Sequence, residues 1–463
     1  MRLSLIFPSW TGVFGEMTKV ARGASTFPPL NLAYLAAIAE NNGHAVQLID
    51  GEAEQLNIQE IICRVNDFSP DLIGLTATTP MFHIAVEQAR ELKAILDVPI
   101  VVGGPHVTHF REKIFHECFD YFVIGQCEGT FGNFLSAIEN NGDIGSISGV
   151  LYRKNKEVLF SGENPQVIDL DELPFPARHL LKKNKYRVGT MRGKKIYTSI
   201  MASRGCPFKC VFCSTSIYGK KVRRRSLQNL IAEIEHLIRD HRIDHFYFLD
   251  DTLTLNRRYI LELCDEIEKR GLQFTWEGGT RANLVDEELI ARMAECGLIR
   301  ISFGFESADI EVREIIKKEV PIESYDYANK LTNKYGIETI NSVMLGLPGD
   351  TYETIEKTIK FIRNSRTIKH ATFGIAIPYP GSEMYEMALN QKHGLKLETQ
   401  DFSKYQRYNS AVMTVNGITP EKMRSLQKKG LLRIYLVPWR IIPVLKRFGI
   451  KSLIKPFINA LRG

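Results

Sequence analysis

Short runs that are apolar throughout alternate along the first part of the chain with longer stretches of helical periodicity. LSLIF, AVQLID, DLIGLTA, PIVVGGPH and YFVIG are strand-like. NLAYLAAIAENNG, a stretch ending at Phe68, Ala85 to Leu96 and a stretch beginning at Gly129 repeat their apolar positions every three or four residues. Strands without a polar face predict a parallel sheet covered by helices on both sides, so residues 1–141 are expected to form a doubly wound, Rossmann-like α/β domain. Over 142–195 turn formers, the hairpin-like GVLYRKNKEVLF and the proline-bearing DLDELPFPARHLL predict a surface connector. From Ile196 the alternation restarts with IYTSIMAS, HFYFLDD, FTWEGG, IRISFGFES, TINSVMLG and HATFGIAIP, separated by helical stretches such as LQNLIAEIEHLIRDH. These strand and helix units predict a partial (β/α)6 barrel over 196–385, followed by a basic, mostly helical segment over 386–463.

Composition changes the picture little. The chain has 463 residues, 44% hydrophobic and 24% charged, which is globular composition. Its 8 cysteines do not form a disulfide framework of the secreted kind, and a reduced cytoplasmic protein is expected. MRLSLIFPSW reads as a first buried strand rather than a signal peptide, and no run has the length of a membrane span.

In barrels of this kind the chemistry lies at the carboxyl ends of the strands. Here those ends carry RGCPFKCVFCS, Asp250 and Asp251, Arg281, Glu306, Gly346 to Gly349, and Pro378 to Gly381. Pro207 biases Cys206 toward extended backbone, so Cys206, Cys210 and Cys213 are predicted on a loop after the first barrel strand. A structural zinc ion requires four ligands, and no fourth His or Cys follows within reach, since Cys264 lies in the amphipathic ILELCDEIEK. Thiolates also hold four-iron clusters, and three of them leave one iron open to an outside ligand.

The C-x3-C-x2-C spacing with Phe212 before the third cysteine resembles the signature of radical S-adenosylmethionine (SAM) enzymes. The resemblance implies a 4Fe-4S cluster held by Cys206, Cys210 and Cys213, whose open iron chelates SAM and whose electron generates a 5′-deoxyadenosyl radical. It further implies Glu306 as the acceptor for the ribose or amine of SAM, Asp250 and Asp251 as second-strand residues facing SAM, and Arg281 as the partner of its carboxylate. The backbone of Gly346 and Leu347 would approach the adenine, glycine allowing close contact.

The first domain has no G-x-G-x-x-G after its first strand, which argues against a dinucleotide fold. FPPLNLAYLAAIAENNGHAVQLID, LIGLTATTP, VVGGPHVT and VIGQCEGT resemble the N-terminal half of the cobalamin-dependent radical SAM family. In that resemblance the corrin contacts lie at Thr76, Thr78 and Thr79, at Gly103, Gly104 and His106, and at Gly125 and Glu128. Many cobalamin modules carry D-x-H-x-x-G after the first strand, the histidine ligating cobalt. This chain has FPSWTGVFG there, His44 is poorly placed in the NNGHAV turn, and the resemblance implies a lower face without a protein histidine, near Trp10 or a water.

The reaction implied is methyl transfer to an unactivated carbon of a hydrophobic or lipid-like metabolite, through the adenosyl radical and methylcobalamin. Ring formation or contraction on a tetrapyrrole or hopanoid-type substrate is the alternative, and a non-catalytic cobalamin or SAM sensor a third, disfavoured by the intact Cys trio. An external electron donor of flavodoxin or ferredoxin type is implied. Glu421 to Gly463 holds 11 Lys or Arg against one acid, interleaved with large apolar groups including Tyr435 and Trp439. That pattern predicts either a cap on the barrel or a peripheral membrane surface with those two rings at headgroup depth. Nucleic acid is not expected, because no base-reading module is present.

Overall fold

Leu3 and Leu5 of strand β1 (Arg2–Phe7) pack into one apolar cluster and Ile6 into another, on the opposite face. That is why the run has no polar face. The computed structural model describes residues 1–10, 25–164, 168–188, 195–214, 217–406 and 410–442. They divide into two compact units.

The first unit comprises Met1–Phe208, Ser214–Leu253 and Glu262–Trp276. After β1 come α1 (Leu30–Asn41), β2 (Ala45–Asp50), α2 (Ile58–Phe68), β3 (Leu72–Thr76), α3 (Phe82–Lys93), β4 (Ile100–Gly103), β5 (Tyr121–Val123) and α4 (Glu128–Glu139). The strand order is β2-β1-β3-β4-β5, all parallel. Strand order therefore reverses between β1 and β3, which creates a crevice at their carboxyl ends. The GVLYRKNKEVLF segment forms β6 (Val150–Lys154), which adds antiparallel to β5, and β7 (Glu157–Phe160), which adds antiparallel to β6. The first sheet thus extends past residue 141, because Val150 and Leu151 are buried at its edge.

The same unit contains β8 (Tyr197–Ile200), the short pair β9 (Ser203–Arg204) and β10 (Arg223–Arg224), α5 (Leu227–His241) capped by Ser226, and β11 (His245–Phe248), parallel to β8. Glu233 of α5 is fully buried between two guanidiniums. Arg178 of the connector also binds Thr198 Oγ1 and the Ser199 carbonyl, and Arg225, just after β10, also binds the Met201 carbonyl. The connector is held further along by the Ala177 amide on the Ala33 carbonyl and by Tyr186 Oη donating to Asp50.

The second unit comprises Lys209–Cys213, Thr254–Leu261 and Glu277–Gly463. After α6 (Arg257–Lys269) and β12 (Thr275–Thr280), both of which the division crosses, it holds α7 (Glu287–Glu295), β13 (Leu298–Glu306), α8 (Ile322–Lys334), β14 (Glu338–Leu345), α9 (Tyr352–Asn364) and β15 (Ala371–Ile375). β13, β14 and β15 are parallel neighbours, and the strands β8, β11, β12, β13, β14 and β15 follow chain order without closing.

The C-terminal segment contributes α10 (Glu383–Leu389), a small hairpin and α11 (Pro420–Tyr435). α11 packs on α9 and β15. A Cβ on Gly430 would stand 3.0 Å from Ile359, so the helices approach closely there. Tyr435 Oη donates to the Ala371 carbonyl, and the guanidinium of Arg366 lies 3.7 Å from the Trp439 ring centre. Arg433 forms an ion pair with Glu356, and Arg440 is buried against carbonyls of α9. The basic positions 446, 447, 451, 455 and 462 lie outside the described residues. Among the described residues no helix is long and apolar enough to cross a membrane.

Burial pushes the Glu233 carboxyl up, but Arg178 and Arg225 more than offset this and hold it below the usual carboxylate range. Its contribution to stability is therefore complete above the ordinary glutamate pKa and is lost as pH falls through the folded value. Glu233→Ala should lower the unfolding free energy by about 3–5 kcal/mol, since two buried charges lose their partner. Glu235→Ala, which breaks an exposed pair with Arg270, should cost about 0–1 kcal/mol. Urea titration followed by circular dichroism makes the comparison.

Candidate functional site: a sheet-edge cavity and the cysteine loop

The loops that follow β3, β4 and β5 form one wall of a cavity of about 430 Å³ in the first unit. Thr76 Oγ1 accepts a hydrogen bond from Asn31 of α1 at 3.2 Å. Gly104 has φ +118, and a Cβ there would sit 2.5 Å from the Ala77 carbonyl oxygen, so only glycine lets these two loops lie together. Gly125, at φ +72, donates its amide to Thr108 Oγ1 at 3.0 Å and leaves open space where a side chain would stand. α1 and residues flanking the cysteine loop, among them Met201, Arg204 and Tyr218, complete the cavity.

Consecutive residues at the end of β11 hold the approach to that loop. Asp250 accepts from the Ala202 amide at 3.0 Å and from Ser203 Oγ at 2.5 Å, Asp251 accepts from the Gly205 amide at 3.2 Å, and Thr252 Oγ1 lies 3.6 Å from Cys206 Sγ. Burial pushes the Asp250 carboxyl up to about 6. The Cys206 amide donates to the Gly219 carbonyl at 3.3 Å.

Within the second unit the rest of the loop is clamped at Val211. Its amide donates to the Ile316 carbonyl at 3.2 Å and its carbonyl accepts from the Met384 amide at 2.8 Å. The Cys213 amide donates to the Cys210 carbonyl, and Cys210 Sγ lies 4.0 Å from the Lys317 carbonyl oxygen. None of the three cysteines is in a disulfide.

Glu306 ends β13 just after a register shift, with φ +65. Such backbone is strained for a residue with a side chain, and strain of this kind gathers at functional sites. Its Oε1 lies 3.2 Å from Lys318 Nζ, both groups being buried. A Cβ on Gly304 would fall 2.4 Å from that oxygen, so glycine makes room for the pair. Arg281 donates to the Glu319 carbonyl at 2.7 Å.

Residues 200–362 match the Radical SAM superfamily and residues 19–135 match the B12 binding domain. An uncharacterized methyltransferase of Pyrococcus horikoshii is 35% identical over 99% of both chains. The chain belongs to the cobalamin-dependent radical SAM family. A further relative, 29% identical over 88% of this chain and 72% of its own length, is the anaerobic magnesium-protoporphyrin IX monomethyl ester cyclase of Rubrivivax gelatinosus. The radical SAM methyltransferase TsrM from Kitasatospora setae, solved with cobalamin and a 4Fe-4S cluster bound, shares the fold with a TM-score of 0.72 at 16% identity, over 94% of this chain and 89% of its own.

The cofactors of the family are the 4Fe-4S cluster, SAM and cobalamin, and the residues present fit them. Three cysteine thiols on an anchored loop are a suitable donor set for the cluster. The cavity lies at the carboxyl edge of the first sheet, and its glycine loops present backbone that a large ring can approach closely.

The expected corrin contacts Thr76, Thr78, Gly103, Gly104, Gly125 and Glu128 line the cavity. Thr79 and His106 do not. They are buried behind the loop, 3.3 Å apart, with the His106 ring between Phe82 and Phe110, where burial pushes its pKa down to about 4. His44 lies at the amino end of β2, away from the cavity, and the Trp10 amide donates to Glu52.

In the radical SAM domain the amides of Gly346 and Leu347 both donate to Asp350, at 2.9 Å, and Met423 of α11 lies 3.0 Å from where a Cβ on Gly346 would stand. Met423 therefore packs on the side of Gly346 where a side chain would stand. Asp250 likewise commits both oxygens to residues 202 and 203.

Asn31, Tyr34, Gln126, Arg204 and Tyr218 line the cavity and were not anticipated. Tyr34 is hidden in an otherwise Leu- and Ala-rich helix. Arg204 stands two residues before Cys206, so proximity to the motif was its only signal.

No histidine is among the described residues lining the cavity. The Co(II) EPR spectrum of bound cobalamin should accordingly show no nitrogen hyperfine splitting from a protein imidazole. A splitting that disappears on replacing His44 or His106 would contradict this placement.

Proposed function

We propose that the protein transfers a methyl group from SAM to an unactivated carbon of an apolar small molecule. The observation that carries this reading is the makeup of one cavity, lined both by the glycine loops of the B12-binding sheet and by Met201, Arg204, Ile217 and Tyr218, which flank the cysteines on either side. Chemistry at cobalamin and chemistry begun at the cluster would then address one mostly apolar space. When bound, the cluster supplies the electron that cleaves SAM and cobalamin supplies a methyl carrier.

The chain's own contribution is positioning. Cys206, Cys210 and Cys213 would hold the cluster, and an external donor of flavodoxin or ferredoxin type would reduce it. Glu306 would accept from the SAM ammonium or ribose, Lys318 holding its carboxylate in place. Arg281 would pair with the SAM carboxylate, a task suited to a planar guanidinium. Asp250 and Asp251 would act by fixing the backbone ahead of Cys206, and Thr76, Thr78, Gly103, Gly104, Gly125 and Glu128 by receiving the corrin.

Ring formation on a tetrapyrrole is a second reading, supported by the cyclase relative. The two separate cleanly. The reconstituted protein, incubated anaerobically with reductant, a small-molecule extract and SAM bearing a deuterated methyl group, should form 5′-deoxyadenosine and a product that carries the label. Deoxyadenosine accompanied by a product that has lost hydrogen and gained no label would favour ring formation. No deoxyadenosine at all would favour a sensor.

A peripheral membrane surface over Glu421 to Gly463 is tested by removing the part of that segment that follows α11 and Arg440. Co-sedimentation with anionic liposomes should be lost, and salt dependence with it, in a chain ending at Ile442. Equal behaviour of both chains would remove the argument for a lipid substrate.

A further inference from the structure

Arg204 stands where the cavity wall meets the backbone of the first cysteine. Its main chain pairs with Arg223 in the short antiparallel ladder of β9 and β10. Gly205, between it and Cys206, has φ +92, and a Cβ there would fall 2.4 Å from the Lys221 carbonyl oxygen. Glycine is therefore required for the turn. With Asp251 on the Gly205 amide and Gly219 on the Cys206 amide, Arg204 and Cys206 are fixed relative to one another.

The Arg204 side chain runs into the cavity and is 2% exposed. Its guanidinium carbon lies 5.3 Å from the ring centre of Tyr34 and 5.1 Å from that of Tyr218. One terminal nitrogen donates to Glu128 Oε1 at 2.7 Å and lies 3.3 Å from Gln126 Oε1. Gln126 in turn accepts from Arg223 at 2.9 Å and donates to the Ile217 carbonyl at 3.0 Å. A single buried side chain thus ties the loop after β5 to the strand that delivers Cys206. A buried ion pair is weak evidence for stability, because apolar replacements often serve as well, whereas it does fix a unique geometry.

We propose that Arg204 is a positioning residue, holding the 125–128 wall of the cobalamin cavity at a set spacing from Cys206 so that the filled cavity and the cluster address the same substrate carbon. This rests on reading the cavity as the corrin site and the three thiols as cluster ligands.

The test uses the full chain, reconstituted with the cluster, and hydroxocobalamin as the probe. Arg204→Met removes the tie, Arg204→Lys keeps the charge without the fork, and Glu128→Gln keeps the shape without the charge. Each should retain its cluster iron, and Arg204→Lys should melt nearest the parent, because Arg204→Met and Glu128→Gln each leave one charge of a buried pair without its partner. The dissociation constant for hydroxocobalamin should rise about tenfold in Arg204→Met and less in the other two, in line with the roughly 10–100-fold cost of losing an outer-shell partner. The EPR line shape of the dithionite-reduced cluster should change when cobalamin binds to the parent protein, and that response should vanish in Arg204→Met and weaken in Arg204→Lys. Parent-like affinity together with a parent-like spectral response in Arg204→Met would overturn the proposal and leave Arg204 a structural ion pair. If Arg204→Met fails to fold, the same two readings on Arg204→Lys and Glu128→Gln decide it, unchanged values counting against. Failure of the parent chain itself to take up cobalamin or cluster would instead overturn the site reading, and the proposal with it.

Discussion

A carboxylate with no access to water organises the first unit. Glu233 cannot stay charged in that position alone, so its helix must meet two guanidiniums, and these come from distant parts of the chain. Arg178 brings the connector across β8, and Arg225 brings the return strand of the hairpin that embraces Cys206. Satisfying one buried charge therefore fixes both the strap over the barrel strands and the base of the segment that carries the cysteine. Over residues 168–188 the connector is held where Arg178 and Tyr186 each reach a buried partner.

A second layer of constraint lies at the end of β11. Asp250, Asp251 and Thr252 are consecutive, and they meet the backbone or side chains of residues 202, 203, 205 and 206 almost in step. An extended segment leaving a sheet normally has unsatisfied amides, and buried amides must be paired. Here a neighbouring strand end pairs them, so cysteine placement depends on side chains more than forty positions away. Both aspartates bear on the cysteine loop as a mould does on a cast.

What could be read from the sequence was whatever is periodic or local. Apolar runs revealed the parallel strands, the Cys spacing revealed the loop, and Gly103, Gly104, Gly125 and Glu128 lie where strand ends placed them. Residues whose meaning comes from a distant partner were not readable. Arg204 and Glu128 are 76 positions apart, and nothing local marks either as half of a pair. The packing of Met423 against Gly346 was not readable either, because that methionine comes from a helix beyond the barrel. His106 was expected at the corrin periphery, and the aromatic packing that buries it depends on Phe82 and Phe110 folding onto one side. GVLYRKNKEVLF was read correctly as a hairpin and missed as a sheet edge, since alternation alone does not name the strand it will join.

The last helix of the barrel ends with carbonyl groups that have no partner within the helix. Arg440 meets them from outside, its guanidinium reaching the carbonyl of Ile362 in α9, those of Ser365 and Ile368 just beyond it, and that of Ile434 at the end of α11. One side chain thus closes two helix ends at once. The packing of the barrel consequently continues well beyond its last strand, and a chain cut near residue 385, where the repeat of strands and helices stops, would leave that helix end open and strip α11 from β15.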